Sequence, residues 1–564
     1  MLLTSCLMLI GLTSCNLDFF PSDEVNSSAL SNSYEGLCNM TDGNYAMLKD
    51  NLEYQGTTST SYTFVRRGLE MVAFSNDELM ISGRTTSTIF NAYTLERDAT
   101  LQNVSYVWWC LYKVIFGANQ VIENIVDGQD SQMDYLKGEN YFLRAFSHLW
   151  LCNIYATPYS FGREKPGVVI RTSTNTSVTT RATVGECYDQ IVADLQEAIR
   201  LMSNGGTRRG NNGYASLEAA QGLLTRVYLH REENEKVIAL VNQMLGGASV
   251  ESKLMTKEEL PTYYANTKTA HETLFCIAYT TLDGGALGQS LYAGMLLNDP
   301  ESGLGWGEAY PTDTQLDLYE RYPEDLRYSV FILPQITDSA VQVIRYPLQG
   351  QDYRDARSNQ LCTATPLADG SYTFLDANNN TCTAWQEMVN GYPLYYATIN
   401  GEKTQVHLTY KMKQRNTFPN YFITKFSYQD GMAMLGSPSM LRWAEVLLNR
   451  AEAYAKVGKD EEALADVNVL RTRSGIRPEG MMTITNMAER GYATTLDVVL
   501  DERRLELAFE GFRTIDLMRN HRAIDRRFPG LQSWQIVEPD DPRLIYPIPF
   551  DEVSVSGIAQ NPGY

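Results

Sequence analysis

A chain of 564 residues carrying 47 Lys and Arg against 67 Asp and Glu has a net charge of −20. It is too long for one small domain, and too acidic for nucleic-acid binding or for electrostatic docking on anionic lipid. Its composition is 44% hydrophobic and 11% aromatic, which is that of a folded chain, and the 35 tyrosines suit wet, half-buried binding surfaces.

In chain order, residues 2–12 are apolar and run into Leu12-Thr13-Ser14-Cys15. Small residues before a cysteine predict a lipoprotein signal peptide over 1–14, lipidation at Cys15 and a polar tether over 15–32. The later cysteines form no C-x-x-C, and neither they nor the five histidines show metal-ligand spacing. A helix is predicted over 33–48. Strong helical stripes follow at 107–125, through Trp108, Tyr112, Ile115, Asn119 and Ile122, and at 135–155. Helices over 184–202, 216–230 and 234–245 complete an N-terminal helical region, 33–258. The glycine-rich loop 204–213 lacks the preceding strand and the GK[ST] signature of a phosphate loop.

Over 259–435 helical periodicity fades, while Pro, Gly, Asn, Tyr and Trp rise. Short apolar runs such as 274–279 predict strands within a large irregular region, the kind of segment that carries function. Cys362 and Cys382 bracket a loop there and are the best disulfide candidates. Asp376, Asn378 and Asn380 with Glu387 imitate a calcium loop, but Thr381 stands where a glycine is needed. No cofactor or metal is expected.

Residues 436–564 return to helix. Ser437-Pro438 reads as an N-cap, and Ala444, Leu447, Leu448, Ala451 and Ala455 form one stripe that Gly458 terminates. A second stripe runs through Ala463, Val467 and Leu470, and the spacing is that of a tetratricopeptide unit. One such hairpin cannot bury its own face, so partners are expected far away in sequence. A last helix is predicted over 496–518, with i,i+3 ion pairs Glu510–Arg513, Arg513–Asp516 and Asp516–Arg519. Glu502, Glu506 and Glu510 read as structural carboxylates rather than as a catalytic pair. The fold class is mainly α: a tetratricopeptide-like helical-hairpin scaffold bearing a loop-rich region with short β-strands.

These pieces together resemble the SusD/RagB family of outer-membrane nutrient-binding lipoproteins. The resemblance rests on Cys15 with Asp18, Phe19 and Pro21; on Trp109, Tyr112, Ile115 and Ala118-Asn119; and on Phe142-Leu143-Arg144-Ala145. It continues with Pro311-Thr312, Tyr319 and Asp325-Leu326-Arg327, where the usual proline between Asp and Arg is missing. The strongest parts are Leu441-Arg442 with Ala444-Glu445, then Glu502-Arg503, Glu506-Leu507, Phe509-Glu510-Gly511, Arg513, Asp516-Leu517 and Arg519. Tyr546-Pro547-Ile548-Pro549 and Gln560-Asn561-Pro562-Gly563-Tyr564 complete it.

The resemblance implies a lipid-anchored protein on the cell-surface side of the outer membrane. Such a protein captures an oligosaccharide and passes it to a SusC-like TonB-dependent transporter, without catalysis. Sugar rings stack their C–H faces on Trp and Tyr, and their hydroxyls need polar partners. Trp306 and Tyr310, among glycines in GLGWGEAYP, are therefore candidates, as are Trp385, Tyr392 and Tyr396. Asn76, Arg84, Phe90 and Tyr93 lie where the family often contributes a wall. Core packing is the competing reading for each aromatic. The alternative functions are a surface glycoside hydrolase, for which Glu301, Glu308 and Asp313 exist unpaired; a protein-only helical scaffold; and a peptide-binding member of the same family.

Overall fold

The computed structural model describes residues 33–57, 59, 62–175, 177, 179–283, 292–348 and 357–564. The expected signal peptide, tether and Cys15 lie outside the described residues. Capping residues set where the N-terminal helices begin. Ser33 caps α1 (Tyr34–Ala46) and Thr63 caps α2 (Phe64–Ala73). After α3 (Thr88–Thr94) comes α4 (Gln102–Asn124). Asp130 accepts the Gln132 and Met133 amides, so α5 (Ser131–Tyr155) starts earlier than its apolar stripe does. Thr183 and Glu186 form a capping box at α6 (Val184–Met202), and Ser216 caps α7 (Leu217–His230), which precedes α8 (Asn234–Leu245).

Three short helices lie in the middle of the chain: α9 (Ala293–Leu296), α10 (Asp313–Glu320) and α11 (Leu326–Phe331). The predicted hairpin is α12 (Trp443–Lys456) and α13 (Asp460–Arg473), and Gly458 between them takes the left-handed φ of 76°. Its N-terminus differs from expectation. Ser437 does not cap it; residues Ser439–Arg442 first pair as a strand with Thr273–Cys276. The missing partners of the hairpin come from the other end of the chain. Helices α5, α6, α7 and α8 pack in succession, and α12 closes on both α7 and α8. One core therefore runs from Leu48 to Ile558.

The predicted helix over 496–518 is two helices, α14 (Thr495–Glu506) and α15 (Arg513–Arg519). Between them Phe509 and Gly511 have φ of 67° and 86°. Helix α14 ends because buried cations from elsewhere take its free carbonyls. Lys425 Nζ donates to Glu506 O and Ala508 O at 2.9 Å, and Arg442 Nη2 donates to Glu506 O at 2.7 Å. The break also rewires the predicted ion pairs. Asp516–Arg519 forms, but Glu510 pairs with Arg442 and Lys425, and Arg513 reaches Asp77 at 2.9 Å.

Glu502, Glu506 and Glu510 belong to a sealed ionic cluster. Five cations (Arg327, Lys425, Arg442, Arg471, Arg473) face five carboxylates (Glu272, Asp325, Glu502, Glu506, Glu510). All ten are buried. Burial pushes Glu506 up, but Arg473, Arg442 and Arg327 outweigh it and hold the carboxyl well below its ordinary range. A charge-balanced, buried cluster of this kind joins the helices that carry its members.

The short strands expected in the middle region are organised as a closed barrel. Its strands are β5 (Ile336–Pro347), β6 (Asn359–Pro366), β7 (Tyr372–Leu375), β8 (Thr381–Val389), β9 (Tyr392–Ile399) and β10 (Glu402–Met412). Each is antiparallel to its neighbour in chain order, and β10 closes on β5. Six strands leave a narrow interior, filled by Ile344, Ala364, Phe374, Ala384, Ala397, Ile399 and Val406. Cys362 and Cys382 point into it as free thiols, with β7 paired between their strands, so the expected disulfide is not formed. The imitation calcium loop is the β7–β8 turn, in which Asp376 accepts the Asn378 and Asn380 amides at 2.8 Å.

The earlier strands are β1 (Leu79–Ile81), β2 (Thr273–Cys276), β3 (Ala309–Pro311) and β4 (Ile332–Pro334). Pairing of β1 with β3 brings the N-terminal region against the middle one.

Candidate functional site

The surface formed at the β1–β3 junction starts from a braced loop. Residues 299–308 leave α9 and return into β3. The Asn298 amide donates to Gly305 O at 2.7 Å, Trp306 N donates to Gly294 O at 2.7 Å, and Glu308 N donates to Met295 O at 2.9 Å. Asp299 takes the Ser302 amide and hydroxyl. At Gly305, φ is 85°, and a Cβ would stand 2.1 Å from Leu297 O. Only glycine allows so close a backbone crossing, and the crossing puts Trp306 on the outside.

Trp306 is 38% exposed, with Leu304 beside it at 47%. The Arg66 guanidinium lies 5.2 Å from the ring centroid. Arg415 donates to Trp306 O at 2.8 Å and to Glu308 Oε1 at 3.1 Å. Ser82 N donates to Glu308 O, and Asn416 donates to Ser82 O, so the strand end carrying Arg84 runs out beside this loop. The exposed Arg84 guanidinium sits 5.8 Å from the half-buried Phe90 ring. Tyr428 closes another side. It is 37% exposed, has a φ of 67° unusual for an aromatic residue, and donates to Asp299 Oδ1 at 3.0 Å. Desolvation, then that bond, pushes its phenol up to about 12, so it stays a neutral donor.

Trp306, Arg84 and Phe90 thus share one surface with Glu308, Arg415, Asn416 and Tyr428. From sequence, Glu308 is only an unpaired carboxylate for the hydrolase alternative, and Arg415, Asn416 and Tyr428 carry no periodic or motif signal; the positive φ of Tyr428 is a backbone property that composition does not show. Other predicted site residues turn inward. Asn76 is fully buried and donates to Thr514. Tyr93 is fully buried against Gln532 and the Arg526 guanidinium. Tyr310 is 1% exposed, and its hydroxyl donates to Asn420 Oδ1 at 2.9 Å, directly behind the loop. Tyr392 packs on Tyr322 with Arg321 and Arg490 at its ring. These four are supports, sealed from a ligand by the packing that makes them rigid.

Trp385 and Tyr396 lie elsewhere, as a cross-strand pair on the outer face of the barrel. Trp385 Nε1 donates to Glu387 at 2.6 Å, Glu387 pairs with Lys403 at 2.6 Å, and Lys403 covers the Tyr396 ring at 4.3 Å. Among the described residues, no group of His, Cys, Asp and Glu is arranged to hold a metal ion, and no helix is long and apolar enough to cross a membrane.

A family model described as SusD family matches residues 272–564, and one described as starch-binding associating with outer membrane matches residues 27–229. A SusD-like protein, P2 of Formosa agariphila, is 24% identical over 76% of this chain and 74% of its own length. Another, P38 of the same organism, is 33% identical over 20% of this chain and 24% of its own. Among solved structures, a SusD superfamily protein of Bacteroides thetaiotaomicron superposes with a TM-score of 0.69 at 22% identity, covering 93% of this chain and 99% of that one. A laminarin-binding SusD-like protein gives 0.60 at 20% identity, over 94% and 99%. With a family model matching more than half of its residues, the chain belongs to the SusD family.

Proposed function

We propose that the protein is a cell-surface glycan-binding lipoprotein. It captures an oligosaccharide at the Trp306 surface and delivers it to a TonB-dependent outer-membrane transporter. The observation that carries this reading is the exposed Trp306 ring, held on a braced glycine loop beside the Arg66 guanidinium, with Arg415 bonded to its carbonyl and to Glu308 and with Tyr428 bonded to Asp299 at the start of the same loop. An aromatic platform with fixed polar groups at its rim suits a pyranose, whose C–H face is apolar and whose edge is hydroxylated. The family description that couples starch binding to the outer membrane supports both the ligand class and the location. The laminarin ligand named for one structural neighbour supports the same class. The protein binds and does not cleave. Glu308 is tied to Arg415, Asp313 pairs with Arg345, and the three glutamates of the strongest motif are sealed among arginines.

The test is calorimetry with neutral oligosaccharides on the wild-type and Trp306→Ala proteins, followed by product analysis. Binding that Trp306→Ala weakens, with no new reducing ends, is the expected result. New reducing ends from the wild type would replace the reading with a hydrolase.

A further inference from the structure

Helix α4 is buried along most of its length, yet one stripe faces outward: Trp109, Lys113 and Phe116, at i, i+4 and i+7. The outward face of a helix is ordinarily polar. Here Phe116 is 38% exposed and Trp109 half-buried. In front of them lies a cavity of about 390 Å³, completed by Tyr112, Arg171 and Glu552. That volume accommodates one or two sugar rings.

The charges are the second observation. Most cations of this acidic chain are ion-paired, but among the described residues neither Lys113 nor Arg171 pairs with a carboxylate. Each lies over an aromatic ring instead. Lys113 Nζ is 4.8 Å from the Trp109 centroid, and the Arg171 guanidinium is 5.2 Å from that of Tyr112. The Arg171 Nε is buried without a hydrogen-bond partner. Its backbone is fixed, the amide donating to His148 and the carbonyl accepting from Asn119. Tyr112 is fixed through its hydroxyl to Val169 O at 2.8 Å. Two cations that form no ion pair stand on an aromatic wall, with a fixed donor left unused; against the single carboxylate of the lining, Glu552, they leave the pocket one positive charge in excess, which complements a ring that carries an anion.

We propose that this pocket is a second saccharide site, selective for an anionic pyranose: a uronic-acid residue or a sulfated sugar. The anionic group sits between Lys113 and Arg171, and the apolar face of the ring lies against Phe116 and Trp109. The site is separate from the Trp306 surface, so its failure would leave the reading of that surface standing.

The experiment titrates the full-length protein with oligogalacturonide, with a sulfated galactan oligosaccharide and with a neutral glucan oligosaccharide. Heat and tryptophan fluorescence are followed at low and high salt. At least one anionic ligand binds, more weakly at high salt. Lys113→Met with Arg171→Met lowers that affinity tenfold or more at unchanged melting temperature, while Trp306→Ala leaves it intact. Which anionic oligosaccharide responds separates carboxylate from sulfate recognition. Lys113→Met alone, at an exposed position, serves if the double variant does not fold. The proposal is overturned if neither anionic ligand binds, if Trp306→Ala alone abolishes binding, or if the cation variants weaken the neutral glucan equally.

Discussion

Gly305 and Trp306 act as a pair. The glycine supplies the left-handed turn against Leu297 O, and the tryptophan supplies the stacking surface. Trp306→Ala is expected to weaken glycan binding at least tenfold, about 1.4 kcal/mol or more, with little change in melting temperature. Gly305→Ala is expected to lose similar affinity by displacing the loop, and to lower the melting temperature as well. Full affinity in Gly305→Ala would show that the turn does not position the ring. At this scale the sequence was partly legible. Glycines around Trp306 announced an uncovered ring, and Arg84 and Phe90 came from the family resemblance. Tyr310 sits in the same glycine-rich stretch but is buried, because it lies in β3, which is buried at every position and pairs with a segment some 230 residues away.

Two elements behave differently from their local patterns, for one reason: their partners are remote in sequence. The apolar spacing over 496–518 fits one helix, and the break arises from Lys425 and Arg442 reaching its carbonyls. Arg442→Met would leave Glu272, Glu506 and Glu510 short of a counter-charge in a dry interior and should cost about 3–5 kcal/mol. Pairing it with Glu506→Leu should recover part of that loss. Chemical denaturation of both variants checks this, and an additive double variant would count against coupling. The barrel was illegible because its inward residues are small, Ala364, Ala384 and Ala397, while bulky Trp385 and Tyr396 face out and blur the alternation.

The barrel also meets the helical scaffold through a titratable contact. His407 on β10 lies 3.0 Å from Asp317 and 3.9 Å from Asp313 on α10, with Arg345 and Glu320 facing the same group. Burial and Arg345 lower the His407 pKa, but Asp317 outweighs them and raises it above its ordinary value of 6.5. The stabilisation from a raised histidine is fully present below the unfolded pKa and is lost as pH rises through the folded one. His407→Gln should therefore lower the melting temperature more at about pH 5.5 than at about pH 8.5. An equal effect at both values would remove the charge from the explanation.

Across the whole molecule, the helical stack is closed by pairs from opposite ends of the chain, α7 and α8 against α12. The tetratricopeptide spacing around Gly458 foretold such partners but not which helices they were, since each helix carries only its own stripe. The pairing of β1 with β3 joins the N-terminal and middle regions at the base of the loop that presents Trp306. Calorimetry of the lipid-free protein against neutral oligosaccharides, with product analysis of the same samples and Trp306→Ala in parallel, tests this account most directly. The account predicts heat from the wild type, little from the variant and no new reducing ends in either. Heat undiminished in Trp306→Ala, or cleavage of the ligand, would contradict it.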